Sequence, residues 1–338
     1  MNKKLLAVAI ASVLAAPATA LAQVTLFGTI DGGVRNQTKA ITATGNDNVM
    51  TVTNGLRTTN RWGMRGSEEL GGGLMANFWL EGGFDNGTGL NGTGLDFARK
   101  ATVGLSSGIW SVDIGRDYTV NFKSQGIYDP MSYTYTGITP TATTNVKGTR
   151  TSNLVTAGFR FGTGGVRVDY GMSETAGDPF GTSTGFMADY AFGPVTLTGA
   201  ISKVDTSLTD SVNTTNFGVA WKLAALTLRA GVSNTETETG NSATGTETPM
   251  LVLGVQYAIS PTWNGRIGYY DTKFKAGGVQ TGERKVTIIA MDYVLSKRTT
   301  AYFAFDKTAI TGTASNLVLG VASVDGASGI SAGIAHAF

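Results

Sequence analysis

The chain has 338 residues, of which 47 are glycine and 15% are charged, whereas average globular domains have about 7% glycine and roughly 25% charged residues. Its formal net charge is +2 and it contains no cysteine, which excludes disulfides, thiol catalysis and cysteine-ligated metal sites. Beyond the first 22 residues no segment reaches roughly 18 consecutive apolar residues, which excludes helical membrane spans.

The first 22 residues have the pattern of a secretory signal peptide. Lys3 and Lys4 precede an apolar stretch over residues 5–16, and Ala20 and Ala22 form an A-x-A cleavage site. We therefore expect a signal peptide over residues 1–22 and a mature domain over residues 23–338. Without those two lysines the mature chain has 24 basic and 24 acidic side chains, so its bulk charge gives no reason to expect nucleic acid as a partner.

Alternation of apolar and polar residues with period two recurs along the mature chain. In residues 195–204, for example, Val195, Leu197 and Ile201 share one face. Such alternation is typical of strands with one apolar and one polar face. About 16 strands are predicted, with boundaries uncertain by a few residues. They start near Val24, Arg57, Leu74, Asp96, Trp110, Arg150, Val166, Thr184, Val195, Asn216, Leu226, Met250, Trp263, Lys285, Thr299 and Gly326.

The connections between these strands alternate in length. Short links, such as residues 193–194 and 258–262, trade places with long polar ones, such as residues 235–249. An even number of antiparallel strands with short turns at one end and long loops at the other is typical of a transmembrane β-barrel. Closure removes the sheet edges, and the apolar face meets lipid while the polar face lines water. The sequence therefore predicts an all-β, 16-stranded antiparallel transmembrane β-barrel.

The stretch "NRWGMRGSEELGGGLMANFWLEGGF" over residues 60–84 is similar to the signature of the general porins of β-proteobacteria, roughly S-R-[FLW]-G-[FL]-[KR]-G-[ST]-E-[DE]-L-G-G-G-L-K-A. It departs from that pattern at Asn60 and Met75. Further marks of the family are "VTLFGTIDGGV", "VDIGRDYT", "RTSNLV" and "LSKRTTAYF", in the family's order. The resemblance implies a homotrimeric channel in a Gram-negative outer membrane, surrounded by lipid and lipopolysaccharide, with a third loop folded into the lumen.

The third loop corresponds to residues 117–149, the longest stretch without clear alternation. A loop of this length in a compact protein is usually functional. Its segments "NFKSQGIYDP" and "MSYTYTG" are interpreted as a short helix and an aromatic-lined turn against the inner wall.

The resemblance also indicates which basic residues line the constriction of the pore. Arg61 and Arg150 match family arginines, and strand parity points both inward. Arg99 matches a third, but apolar residues of the following strand share its parity, which would place Lys100 in the lumen instead. A bulge, or a strand that begins after Arg99, would restore the family arrangement.

Two acidic residues match the opposite side of the family constriction, Glu81 on a strand and Asp129 in the third loop. Arginines on one wall and fewer acids on the other create a transverse field that favours anions. We therefore expect a passive, anion-selective diffusion channel for small hydrophilic solutes, with no cofactor and no catalytic activity. One alternative is a channel specific for organic anions that also uses Tyr118 or Tyr128. Another is a β-rich surface adhesin, which would need no arginine cluster.

The C-terminal strand, "GISAGIAHAF", must pair with the first strand to close the barrel. Gly333, His336 and Phe338 resemble the terminal signal that the outer-membrane assembly machinery reads. Two G-x-S-x-G matches, at residues 181–185 and 329–333, do not indicate a hydrolase. His336 is the only histidine, and no acid stands between it and Ser331.

Overall fold

The computed structural model describes residues 24–42, 45–91, 96–140, 149–174, 180–240, 245–312, 317–318, 321–322 and 326–338. The expected signal peptide, residues 1–22, lies outside the described residues. Within the described ranges the chain forms a closed antiparallel barrel of 16 strands, with one α-helix inside it. No helix in these ranges is long and apolar enough to cross a membrane.

The barrel strands are numbered in chain order, and two of them consist of two segments. They are β1 (Thr25–Thr42), β2 (Gly45–Asn54 and Arg61–Gly71), β3 (Leu74–Gly83), β4 (Lys100–Ser106), β5 (Trp110–Tyr118), β6 (Arg150–Phe161), β7 (Gly164–Gly171), β8 (Ser183–Phe192), β9 (Val195–Asp205), β10 (Ser211–Leu223), β11 (Leu226–Glu238), β12 (Thr246–Glu247 and Met250–Ala258), β13 (Trp263–Ala276), β14 (Val279–Val294), β15 (Thr299–Gly312) and β16 (Gly326–Ala337). Helix α1 is Val120–Tyr128, and Leu317–Val318 pairs with Val321–Ala322 outside the barrel sheet.

The last strand closes the barrel by pairing with the first. The β1–β16 register runs from Thr29 opposite Ala337 to Gln37 opposite Gly329. Beyond it, the Phe338 amide donates to the Gly28 carbonyl at 3.1 Å. Closure leaves no strand edge for another chain to join, and the predicted 16-stranded antiparallel barrel is confirmed.

The two faces of the barrel differ as the alternation predicts. On β16, Ile330 and Ile334 point outward with 53% and 50% of their surface exposed, whereas Ser331 between them is buried inside. An outer band of exposed apolar side chains is the surface that lipid covers.

Some strands are longer than the sequence pattern indicates. β14 begins at Val279 rather than near Lys285, because its polar first residues still pair with β13, with Gln280 opposite Lys275. Alternation shows only where one face is apolar, whereas the hydrogen-bonded ladder extends beyond that band. β4, by contrast, is shorter than predicted: it begins at Lys100 rather than near Asp96, because Lys100 is its first residue in the β3–β4 ladder.

β2 is interrupted, although a single strand from Arg57 was predicted. Residues 55–60, called here the β2 loop, leave the sheet at Gly55, which has φ 68°. Asp31 holds the β2 loop: its carbonyl accepts from the Gly55 amide at 3.1 Å and its carboxylate from the Thr58 amide at 2.6 Å. The Asp31 amide in turn donates to Asn60 Oδ1 at 2.5 Å. A non-helical turn within a strand needs such a residue with positive φ, and glycine adopts it readily.

Within the predicted third loop, residues 119–140 fold into the barrel and begin with the predicted helix. Thr119 caps α1 by accepting a hydrogen bond from the Phe122 amide at 3.3 Å. Ser124 Oγ lies 2.9 Å from Thr198 Oγ1 on β9 and donates to Asn216 Oδ1 on β10 at 2.6 Å. These contacts fix α1 to the inner wall.

After the helix, the third loop is hydrogen-bonded to successive strands around the inner wall. Gln256 on β12 donates to the Pro130 carbonyl at 2.6 Å. Arg266 on β13 donates to the Met131 carbonyl at 2.9 Å. Because buried backbone carbonyls need partners, these side chains replace the hydrogen bonds that water would otherwise supply.

Four inward-facing glycines, called here the glycine track, make room for the loop. They are Gly218 on β10, Gly231 on β11, Gly254 on β12 and Gly268 on β13. A Cβ on Gly218 or Gly231 would lie 2.1 or 2.2 Å from ring carbons of Tyr128. One on Gly254 would lie 2.4 Å from Pro130. Any side chain larger than hydrogen would therefore push the loop off the wall.

A hydrophobic core lies between the third loop and the inner face of β12–β15. Tyr128, Met131 and Tyr135 of the loop pack with inward residues such as Val252 and Ile288. The expectation of a polar inner face is therefore wrong for this part of the wall, because the loop covers it instead of water. A strand that packs on the loop with its inner face and meets lipid with its outer face is apolar on both faces, as in "VTIIAM" over residues 286–291.

The glycine track predicts that one added methyl group destabilises the protein. In Gly231→Ala the new Cβ meets the Tyr128 ring, and overpacking of this kind costs about 1–3 kcal/mol. Gly199→Ala is the control, because its Cβ would lie 3.5 Å from the nearest atom, an ordinary contact distance. Urea unfolding in detergent, followed by circular dichroism, should show a lower midpoint for Gly231→Ala alone. Equal midpoints would contradict this role of the glycine track.

Candidate functional site

A cavity of about 1080 Å³ lies inside the barrel between the third loop and the opposite wall. The wall side is formed by residues of β1–β3, β5–β8 and β16, by Thr58 and Thr59 of the β2 loop, and by Arg99. The charged residues that line it are Arg61, Arg65, Glu81, Arg99, Lys123, Arg150, Arg167 and Asp189. The cavity therefore brings together four of the predicted constriction residues: Arg61, Glu81, Arg99 and Arg150.

Arg61 and Arg150 begin their strand segments, where the chain enters the barrel wall. Arg61 Nη1 donates to Thr58 Oγ1 at 3.3 Å in the β2 loop. Arg150 Nη2 donates to Tyr118 Oη at 2.5 Å, and its guanidinium carbon lies 4.1 Å from the centre of the Tyr118 ring. Among the described residues neither arginine forms a salt bridge, so both charges remain available to a solute.

Arg99 and Lys100 both point inward, which answers the question left open by strand parity. β4 begins at Lys100, so the alternation of the strand does not apply to Arg99. Lys100 stands directly opposite inward-facing Glu81 in the β3–β4 register and donates to Asp117 at 3.1 Å. Arg99 lines the large cavity, and Lys100 lines a smaller one of about 300 Å³ with Arg65.

Glu81 forms a nearly buried ion pair with Arg99. The Arg99 Nε–Glu81 Oε1 distance is 2.6 Å. The second carboxylate oxygen accepts from Trp79 Nε1 at 3.3 Å. Among the described residues the salt bridge of Glu81 is therefore to Arg99, not to Arg61 or Arg150.

Asp129 is not brought to this group. It caps the C-terminal end of α1, is buried, and accepts a hydrogen bond from Tyr270 Oη on β13 at 2.6 Å. Burial raises the pKa of its carboxyl above the usual range. The structure therefore places Asp129 between the third loop and the inner face of β11–β15, called here the far wall. It does not lie across the cavity from the arginines.

Three further basic residues line the cavity and were missed by the sequence reasoning. Arg65 lies on the same face of β2 as Arg61, with its guanidinium carbon 5.0 Å from the ring centre of Trp79. Lys123 on α1 donates to Asp117 at 3.0 Å. Arg167 forms no salt bridge within the described part of the chain. Strand parity identifies Arg65 and Arg167, whereas Lys123 required knowledge of the loop fold.

On the far wall, arginines and acids hold the third loop instead of lining the cavity. Asp292 on β14 accepts from Arg57 Nε at 2.9 Å and from Tyr135 Oη at 2.7 Å. Arg266 Nη2 lies 3.4 Å from the other Asp292 oxygen. Arg229 on β11 donates to the Ile127 carbonyl of α1. These charges are occupied by protein partners.

The predicted assembly residues lie where the barrel closes. His336 faces outward, with Nδ1 2.9 Å from Thr299 Oγ1. The Phe338 ring covers Gly28, whose Cβ would lie 2.2 Å from it. Gly333 faces inward below Tyr302, where a Cβ would lie 2.4 Å from the tyrosine hydroxyl. Their recognition by the assembly machinery stays a prediction.

Comparison with known proteins finds the same architecture. The model of the Gram-negative porin family matches residues 7–312. Outer membrane porin protein 32 of Delftia acidovorans is 32% identical over 377 aligned residues, covering all of both chains. The structure is similar to that of the anion-selective porin from Comamonas acidovorans, with a TM-score of 0.83 and 25% identity over 94% of this chain and 100% of that one. It also shares its fold with OmpT of Vibrio cholerae in its trimer form, with a TM-score of 0.71 and 12% identity over 94% and 99% of the two chains.

Removal of the Asp292 carboxylate should loosen the third loop. In Asp292→Ala the loop loses the hydrogen-bond acceptor for Tyr135, and Arg57 and Arg266 lose their carboxylate partner. We expect larger and noisier single-channel currents, because the loop then samples positions off the wall. Asp205→Ala is the control, since the salt bridge of Asp205 in the described ranges, to Lys203 at 3.5 Å, is partly exposed. Identical current traces for the two variants would contradict this role of Asp292.

Proposed function

Because the chain belongs to the Gram-negative porin family, we propose that this outer-membrane porin conducts small anions in preference to cations. Conduction is passive diffusion through the barrel and involves no catalytic step. The observation that carries the proposal is that, within the described part of the chain, Arg61 and Arg150 line the cavity without forming a salt bridge, while Glu81 is paired with Arg99.

The charge balance of the cavity lining favours anions, although the mature chain as a whole is neutral. Six basic side chains and two carboxylates line the cavity. A narrow passage with low-dielectric walls focuses the field of such an excess. Selectivity follows from this local balance, since a permeating ion meets the field only where the passage is narrow.

Arginine is suited to conduct an anion without trapping it. Its charge is delocalised over a planar group that is weakly hydrated and presents several donors. Arg61 and Arg150 are each held by neighbouring oxygens, so they remain in place as an anion passes. Successive shallow sites allow entry and release. The name of the Comamonas protein, an anion-selective porin, supports the same assignment.

The proposal extends to the assembly and surroundings of the channel. The protein forms a homotrimer, as the name of the Vibrio structure states for that protein. Its outward band of exposed apolar residues contacts membrane lipid, with lipopolysaccharide around the long loops, and the outer-membrane assembly machinery reads the end of β16. Small hydrophilic solutes accompany anions through the barrel.

Removal of either free arginine should weaken anion preference. We expect Arg61→Ala and Arg150→Ala each to lower the chloride-to-potassium permeability ratio roughly threefold or more, given the Coulomb energy of a charge at close range. Arg298→Ala, which removes the same charge from a short turn outside the cavity, should leave the ratio unchanged. The measurement is the zero-current potential in a planar bilayer under a potassium chloride gradient. An equal effect of all three variants would contradict the proposal.

Removal of the Glu81 charge should act in the opposite direction. In Glu81→Gln the Arg99 charge is no longer neutralised, so the chloride preference should rise. Glu283→Gln is the matched control, because Glu283 pairs with Lys285 at 2.7 Å and is not among the residues that line the large cavity. A fall in chloride preference in Glu81→Gln would show that Glu81 does not offset the arginine charge.

A further inference from the structure

Three of the aromatic rings that line the cavity pack on one another beside the arginines, a feature that ion conduction alone does not need. Tyr118 stacks on Phe122 with ring centres 4.9 Å apart and planes 19° apart. Phe122 packs on Tyr133 at 4.8 Å. We call Tyr118, Phe122 and Tyr133 the aromatic platform; all three line the cavity.

Tyr133 is held in place by an unusual backbone and by a fitted surface. Ser132 and Tyr133 both have positive φ, 50° and 63°, a conformation that side chains with a Cβ rarely adopt. The Tyr133 ring lies over Gly126 of α1, where a Cβ would be 1.8 Å from it. Its hydroxyl lies 2.9 Å from the carbonyl oxygens of Phe122 and Lys123 and donates to them. Backbone strain of this kind clusters at functional sites.

Despite these restraints, Tyr133 is not buried. About 42% of the surface of this residue remains exposed, although Tyr128 and Tyr135 of the same loop are buried completely. Exposed aromatic surface in a water-filled passage is unfavourable. The structure thus keeps one flat apolar surface open to the lumen, where a planar solute has access to it.

The aromatic platform is continuous with a fixed positive charge. The Arg150 guanidinium carbon lies 4.1 Å from the Tyr118 ring centre. The ring centres of Tyr118 and Tyr133 are 6.4 Å apart. Arg150 and the aromatic platform line the same cavity, so a solute there has access to both the charge and a ring. Arg61 lines the same cavity and offers a second donor.

From this arrangement we propose that the cavity is a transient binding site for small aromatic carboxylates. The carboxylate binds Arg150 and Arg61, and the ring stacks on the exposed face of Tyr133. The inference rests on the proposed anion channel and names a solute class for it. Stacking requires a flat π-system, so a saturated ring of similar size binds less well.

The test compares benzoate with cyclohexanecarboxylate, which has the same charge and carbon number but a puckered ring. Each acid is added to the purified full-length channel in a planar bilayer, and the concentration that halves the chloride conductance is measured. We expect benzoate to act at a concentration roughly two- to tenfold lower, the range that a single aromatic contact provides.

Substitutions at the aromatic platform locate the effect. Tyr133→Leu should make the two acids equivalent, whereas Tyr133→Phe, which keeps the ring, should retain the preference for benzoate. Tyr170→Leu changes an outward-facing tyrosine that is 48% exposed and should behave as wild type. Preference for benzoate that persists in Tyr133→Leu would overturn the assignment.

The outcomes in the unsubstituted channel separate this inference from the proposed function. Equal action of the two acids in a channel that still prefers chloride to potassium overturns the aromatic site and leaves the anion channel intact. A channel that prefers potassium overturns the proposed function, and the inference with it. Because this comparison uses the unsubstituted protein, it decides the matter even where Tyr133→Leu does not insert into the bilayer.

Discussion

The structure depends above all on the docking of the third loop against a glycine-lined wall. A polar barrel interior does not by itself favour contact with a peptide segment, because water forms hydrogen bonds equally well with the polar groups of both surfaces. Because the glycine track has no side chains, the loop approaches the wall closely there, and Tyr128 fills the space over Gly218 and Gly231. Side chains of the wall then donate to the loop carbonyls, so that burial of backbone does not leave unpaired groups. The result is a barrel with a hydrophobic core on one side of its interior and a cavity on the other.

This docking divides the arginines into two groups with different roles. Arg57, Arg229 and Arg266 of the far side donate to Asp292 or to loop carbonyls, and their charges are thus used within the protein. Across the cavity, the contacts of Arg61 and Arg150 with other described residues are to neutral oxygens and an aromatic ring. The excess of positive charge that a solute meets is therefore set by which arginines the loop occupies, not by the composition of the chain.

Much of the barrel could be predicted from the sequence, because strand alternation is local and the barrel repeats it. Parity placed Arg61 and Arg150 inward, and the resemblance to porins identified them among the inward residues. Strand parity did not predict side-chain directions or strand continuity where the chain leaves the regular strand. Arg99 precedes β4, and the β2 loop interrupts β2, although the Asn54-Gly55 pair is a recognised turn signal. The environment of Asp129 was not predictable, because the third loop has no periodicity and its carboxyl is oriented by Tyr270, 141 positions later in the chain.

In the proposed function, free arginines opposite a docked loop form the site that anions occupy. A crystal structure of the protein in sodium bromide, with bromide located by its anomalous scattering, tests this directly. We expect bromide in the cavity within contact distance of Arg61 and Arg150, with Tyr128 seated over Gly218 and Gly231. Bromide at the far-side arginines, or a cavity without bromide while it binds elsewhere on the protein, would contradict it.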